Sequence, residues 1–494
     1  MGKFFSAKTF SMIPTTSDQS FEQSPPDVLS SKPLQFSPRI QSLDVLRGIA
    51  VLGALFVSIW IFGGFSNNQQ NGLLLKSKGF DYRLFGTVDL LFNGKMRALI
   101  AIVFGAGMIL FLSKDSEKAE LPRADLFIRR QMWLILFGII NAVLLFWTND
   151  LLFHLGIMGI LLFPFVRLQT KGLLIAAVLT TLIYSGKNYW KYADNKKAYN
   201  KYVAVTAVEK KITKDSVDRA KSKPLVKDLK KDTLTKEQKK DKAAWEGIVA
   251  GMKYDSKKDD GENKEMRKSS YGKTYNHLLR RTQGREGQWT YTTGVWDLAS
   301  MIFLGMALFR IGFFSHKFSQ NKYWLLALGG ITAGLLLGWL RLHNNQISLQ
   351  DYAKYISGHW MPYDLFFPFE RAFLALGYTS LVVAIIRSGT FKSICKAFSL
   401  TGRMALTNYI MQTAFCTLFF TGVGMGYFGR LEQYQLYFIV LEICLVQVIF
   451  SVLWLRYYNY GPIEWLWRCL VHWKKLPNRL HKPQVTESPI ALFS

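Results

Sequence analysis

Asp150 and His154 stand four residues apart in Asn149-Asp150-Leu151-Leu152-Phe153-His154. On a helix that spacing puts a carboxylate one turn from an imidazole, the pairing a general base needs. Histidine changes charge near neutral pH, so the pair is a candidate proton-transfer centre; the competing reading is a hydrogen-bonded histidine at a helix end. Arg39-x4-Asp44-x2-Arg47-Gly48 places Asp44 and Arg47 on one helical face, where Arg47 could hold a phosphate-rich ligand with a bidentate fork. The same pair could equally be an ion pair that positions a helix at the membrane surface. In Gly402 to Gln412, Asn408 and Gln412 share a face flanked by Thr407 and Tyr409, and Arg403 precedes them. Polar side chains this dense in a membrane helix either meet a ligand or join helices together. Gly461-Pro462-Ile463-Glu464-Trp465-Leu466-Trp467-Arg468 suits either a pairing of Glu464 with Arg468 at i, i+4 or an amphipathic terminal helix with interfacial tryptophans. Lys95, Arg97, Glu370 and Arg371 could bind a sugar or another polar acceptor, or be snorkelling span ends.

The elements that must position these residues are apolar stretches near 45–65, 97–112, 127–148, 151–167, 171–185, 295–314, 323–340, 372–387, 401–424 and 435–455. A bilayer core about 30 Å thick needs roughly 20 apolar residues per helix. The expected fold class is all-α, a polytopic membrane bundle of about ten transmembrane helices with a long charged extramembrane insert. Residues 1–40 read as a disordered cytoplasmic tail without a signal peptide. Residues 41–185 carry spans one to five and 186–293 a Lys-rich extracytoplasmic insert. Residues 294–473 hold spans six to ten and the terminal amphipathic helix, and 474–494 a cytoplasmic tail.

The net charge of +28 over 494 residues invites a nucleic-acid reading, but no base-reading fold surrounds the charge. The insert accounts for much of it, with 28 Lys/Arg against 15 Asp/Glu. Its run at 187–268 reads as solvated helix or disorder, while Tyr271, Leu278 and Trp289 among Arg280, Arg281 and Arg285 suit a segment lying on the membrane surface. Lys114, Lys118, Arg123, Lys317, Lys322, Lys392, Lys396 and Lys482 gather on the side of the termini, which the positive-inside rule makes cytoplasmic. Lys76, Lys78, Arg83, Lys95 and Arg97 oppose that assignment. Cys395, Cys416, Cys444 and Cys469 show neither disulfide nor zinc spacing and read as buried thiols. No metal site is expected.

At these motifs the chain resembles the YeiB-type family of bacterial membrane proteins, carried as a domain of unknown function. The resemblance rests on Leu43-Asp44-Val45-Leu46-Arg47-Gly48-Ile49-Ala50, on Gly94-Lys95-Met96-Arg97-Ala98-Leu99 with Phe104-Gly105-Ala106-Gly107, and on Asn149-Asp150-Leu151-Leu152. Phe303-Leu304-Gly305-Met306-Ala307-Leu308, Gly402 to Gln412 and Gly461 to Arg468 complete it. The family usually has Asn where Ser58 stands and often Tyr where His154 stands. More remotely, it is similar to OafA-type and heparan-α-glucosaminide N-acetyltransferase-type membrane acyltransferases, which commonly rely on an early-span His that is missing from span one here. That resemblance implies a bacterial inner-membrane protein moving an acyl group from cytoplasmic acyl-CoA to a cell-envelope glycan or lipid. Arg47, Arg403 and Arg468 would then bind the donor, oriented by Asp44 and Glu464. Asn408, Tyr409 and Gln412 would line the path, Asp150 and His154 would transfer protons, and Lys95, Arg97, Glu370 and Arg371 would face the acceptor. A transporter of a small polar solute and a non-catalytic scaffold presenting the insert to anionic polymers remain open.

Overall fold

The computed structural model describes residues 40–113, 122–222, 234–255 and 257–480. The expected tail at 1–40, apart from Ile40, lies outside them, as do Arg39, Lys114, Lys118 and Lys482. Among the described residues the elements are helical, apart from an isolated antiparallel bridge between Tyr458 and Arg479.

Seven helical stretches among the described residues are long and apolar enough to cross a bilayer: Gln41–Phe62, Phe80–Leu112, Arg123–Val143, Tyr271–Arg310, Gln320–Gln350, Tyr363–Ser388 and Gln433–Trp454. They coincide with seven of the ten expected spans. The expected spans at 151–167 and 401–424 fall on shorter helices, α6 (Leu152–Leu161) and α16 (Ala405–Phe420), and that at 171–185 on the start of α7 (Thr170–Ser222). Ten residues of helix rise only about 15 Å, half the bilayer core. This is a multi-pass, all-α membrane protein, and the count of ten is not reached by this measure.

The first span is α1 (Gln41–Phe62), and its Leu46, Ala50, Leu55 and Ile59 are fully buried. The helices around it are α4 (Lys95–Leu112), α14 (Phe367–Ser388), α15 (Lys392–Arg403), α16 and α17 (Gln433–Trp454). Outward faces are apolar instead of polar: Ile175, Val178 and Leu182 on α7, and Phe438, Leu441 and Leu445 on α17 are exposed. That inversion is what lipid as a solvent selects.

Two backbone approaches set the geometry used below. Gly94, at φ +75°, turns α3 (Phe80–Leu91) into α4; a Cβ there would lie 2.6 Å from Cδ of Arg371, so only glycine lets that arginine stem pass. Further along, α4 meets α11 (Val295–Arg310) glycine to glycine. A Cβ on Gly105 would come within 2.1 Å of the Ile302 carbonyl, and one on Gly305 within 2.0 Å of the Ile102 carbonyl.

The described parts of the Lys/Asp/Glu-rich run are mostly helix. α7 continues well past its apolar start, and α8 (Lys236–Met252), opened by a Thr235–Gln238 capping box, packs back along it. Lys201–Asp241 at 3.0 Å and Lys242–Glu209 at 2.7 Å join the two, and Trp245 is buried among Tyr199, Tyr202 and Tyr352. Residues 271–290, expected at the membrane surface, are helix continuous with a candidate span. α10 (Tyr271–Gly284) runs without a break through a π-helical stretch, Arg285–Gly294, into α11, with Leu278, Thr282 and Thr290 buried. Arg280 and Arg281 stay on the exposed face while Arg285 is partly buried, a split within one helix that aromatic-basic alternation alone does not separate from an interfacial segment.

Candidate functional site

At the beginning of α1, Arg47 Nη1 meets Asp44 Oδ1 at 2.9 Å, the expected i, i+3 pair, and the arginine stays more than a third exposed. Arg130 of α5 (Arg123–Val143) lies between the rings of Phe111 and Trp467, 4.6 and 4.5 Å from their centroids. It is close enough to Arg47 and Arg468 for their charges to repel it. Arg47 and Arg468 thus gather at one end of the bundle, with Arg130 as a third member that the motifs did not contain. Arg403 is held differently, donating to the Asn459 carbonyl at 3.0 Å.

The expected pairing of Glu464 with Arg468 is not formed. On α18 (Pro462–His472), Glu464 accepts from the Leu406 and Thr407 amides at 2.7 and 3.0 Å and from the Thr407 hydroxyl at 2.5 Å. It therefore caps the free amides at the start of α16, where a carboxylate also meets the positive end of the helix dipole. The Arg468 guanidinium instead lies 4.2 Å from the Tyr460 ring centroid.

Asn408 and Gln412 join helices. Asn408 donates to Ser451 Oγ at 3.0 Å, Gln447 donates to the Asn408 carbonyl at 2.8 Å, and Gln412 donates to Gln447 at 2.9 Å. Among these neighbours, Tyr409 turns away to the Asp150 centre. Its hydroxyl accepts from the Trp147 indole at 2.8 Å and the Leu151 amide at 2.9 Å, and donates to Asp150 Oδ1 at 3.3 Å. Asp150 also accepts from Asn141 at 2.8 Å and from the Phe153 amide at 2.7 Å. Asp150 and His154 are both 1% exposed, yet their side chains do not pair. His154 Nδ1 donates to the Asp150 backbone carbonyl at 2.6 Å, leaving Nε2 buried without a hydrogen-bond partner. The turn geometry explains it: the main-chain carbonyl at i−4 lies nearer the ring than a carboxylate already drawn to three donors.

Beyond His154 is Trp289 of the π-helical stretch, edge-on at 5.3 Å between ring centroids. Arg285 lies 3.2 Å and Arg97 5.2 Å from the Trp289 ring centroid. Arg97 reaches Asp297 Oδ2 at 3.0 Å, and the fully buried Arg371 pairs with Asp297 Oδ1. The histidine thus belongs to one continuous polar tract with part of the predicted acceptor cluster. The rest of that cluster turns the other way. Lys95 meets Glu370 at 2.5 Å, and Arg341 of α12 (Gln320–Gln350) bridges Glu370 at 2.7 Å and Asp89 at 2.6 Å.

Residues 308–474 match a family described as protein of unknown function, DUF418. YxaH of Bacillus subtilis (strain 168), an uncharacterized protein, is 26% identical over 449 residues, covering 89% of this chain and 96% of its own. YeiB of Escherichia coli (strain K12), likewise uncharacterized, is 27% identical over 449 residues, 87% of this chain and 95% of its own. The chain is thus similar to YxaH and YeiB along nearly its whole length. No solved structure matches it.

The motif reading missed Asp89, Arg285, Trp289, Asp297 and Arg341. Asp89, Asp297 and Arg341 are charges inside apolar helical runs, Thr87-Val88-Asp89-Leu90-Leu91, Val295-Trp296-Asp297-Leu298 and Trp339-Leu340-Arg341-Leu342. A charge in such a setting is itself a signal, because lipid tolerates it only with a partner. Arg285 and Trp289 had been assigned to the membrane surface. Of the four cysteines, Cys395 and Cys416 are buried, and Cys444 and Cys469 are half-buried.

Proposed function

We propose that this protein is an acyltransferase of the bacterial inner membrane, with both termini cytoplasmic, moving an acyl group from cytoplasmic acyl-CoA to a hydroxyl of an envelope glycan or lipid. The observation that carries this reading is His154, its ring fixed through Nδ1 and its Nε2 left buried and unpartnered. A nitrogen so placed takes the proton of an acceptor hydroxyl. The hydroxyl oxygen attacks the thioester carbonyl, the acyl–oxygen bond forms as the acyl–sulfur bond breaks, and the proton leaves on the CoA thiol. Arg285 and Arg97 lie close enough for their charges to act on the His154 ring, and suit the negative charge that develops on the carbonyl oxygen. Asp150, bonded by Asn141, Phe153 and Tyr409, fixes the turn that holds the ring. Arg47, Arg130 and Arg468 suit the CoA phosphates at the other end.

Mass spectrometry of envelope glycans and lipids, with and without the gene, tests the reading. One acylated species is expected to vanish on deletion, to return with the wild-type protein, and to stay absent with His154→Gln. An unchanged envelope, together with counter-flow of a solute in proteoliposomes, would replace acyl transfer by transport.

A further inference from the structure

The tract beside His154 carries more positive charge than its surroundings balance. Arg97 and Arg371 pair with one carboxylate, Asp297, whose charge also reaches Arg285. The neighbouring acids are engaged elsewhere: Glu370 and Asp89 with Lys95 and Arg341, Asp150 with Asn141, Phe153 and Tyr409. Glu286 follows Arg285, but its charge acts on Asp150. The guanidiniums also hold donors in reserve. Nε and Nη1 of Arg371, which is 0% exposed, are buried without a hydrogen-bond partner, and so are Nε of Arg97 and Nε of Arg285. Buried charge without a counter-charge is costly, and buried N–H groups without acceptors add to that cost.

We propose that Arg97, Arg285 and Arg371 form a binding site for a phosphate group. Three bases against one acid leave two positive charges, which a phosphate monoester dianion balances and a carboxylate does not. The three planar forks supply the directed donors that phosphate oxygens take up. Trp289 touches both the Arg285 guanidinium and the His154 ring, and the Arg285 backbone adjoins that ring, so a bound phosphate lies in the neighbourhood of His154. Access is from the side of Arg97, whose side chain is 23% exposed where Arg371 is closed off. The phosphate could belong to a lipid headgroup or to a free phosphorylated solute; the site's chemistry is the same for both.

The test uses the full chain in phosphatidylcholine nanodiscs, with no acyl donor present. Binding of inorganic phosphate and of short-chain phosphatidic acid is measured by calorimetry. The expected result is saturable binding at one site per chain, weakened roughly tenfold or more in Arg285→Gln and in Arg97→Gln and unchanged in Lys239→Ala on the exposed face of α8. Inorganic phosphate that binds and displaces phosphatidic acid identifies a free phosphate ligand; phosphatidic acid that phosphate fails to displace identifies a headgroup; either supports the site. Binding of neither probe overturns it, as does binding of equal strength in both arginine variants. If a glutamine variant does not fold, Arg97→Lys keeps the charge and loses the fork, and weaker binding is again expected. A protein that takes phosphate at this site but acylates nothing would remove the acyl-transfer reading and leave this one standing.

Discussion

Lys95, Arg341, Asp89 and Glu370 close on one another, two bases against two acids, and every carboxylate oxygen has a donor within 2.7 Å. Arg97 and Arg371 share Asp297, Arg285 lies near enough to feel its charge, and all three keep donors unused. The two groups interleave along the same helices: Lys95 is two residues from Arg97, and Glu370 adjoins Arg371. The second group is more open, at Arg97 and Arg285, and its charge is not balanced. A closed network fixes α3, α4, α12 and α14 in one arrangement, while an open one keeps its bonding capacity for something that arrives later. The difference separates what holds the fold from what the fold holds ready.

The comparison breaks most visibly at Glu370. Glu370→Gln leaves two buried bases with one acid and is expected to lower stability by about 3–5 kcal/mol, read as thermal unfolding in detergent. Replacing all four members by apolar residues of similar size is expected to recover most of that loss, because nothing charged is then left unpaired. His154→Gln is expected to lower turnover by about 10²–10⁴ with an unchanged melting temperature. Full activity in His154→Tyr would make the residue a hydrogen-bonding spacer and not a base. Tyr409→Phe strips an acceptor from the Trp147 indole and the Leu151 amide and a donor from Asp150, at about 1–3 kcal/mol of stability. Asn408→Ala, within the helix-joining set, is expected to cost about 0.6–2 kcal/mol in the same melt. The smallest effect sharpens the contrast: Arg285→Gln removes a surplus charge, so its melt is expected within about 0.5 kcal/mol of wild type. A loss as large as that of Glu370→Gln would mean the open group is structural after all.

Much of this was legible in the sequence, and the limit is physical. Asp44 with Arg47 was readable because helical periodicity brings i and i+3 together without any tertiary knowledge. The seven long spans were readable because lipid demands runs of fixed length. Glu464 was misread because its i+4 neighbour is a weaker attraction than the uncapped amides of another helix, which no local pattern reveals. Lys95 and Glu370 were both singled out, 275 residues apart, but Arg341 and Asp89, which complete their balance, were not. Without them a closed network and an open one look alike, since each shows only basic and acidic residues near span ends. His154 and Asp150 were the right neighbours with the wrong bond, because spacing gives proximity and only the occupancy of Asp150 by other donors decides direction.

The glycine contact between α4 and α11 reaches further than its own position. Arg97 precedes Gly105 by eight residues and Asp297 precedes Gly305 by the same eight, so the two helices run side by side in equal step for about 12 Å from the contact to the ion pair. With carbonyls against glycine faces at the contact, neither helix has room to slide along the other. When a bilayer thins or thickens, spans answer by tilting; these two must tilt as one body. The pair at Arg97 and Asp297 is then indifferent to membrane thickness, and the chemistry beside it keeps its alignment in whatever lipid surrounds the protein.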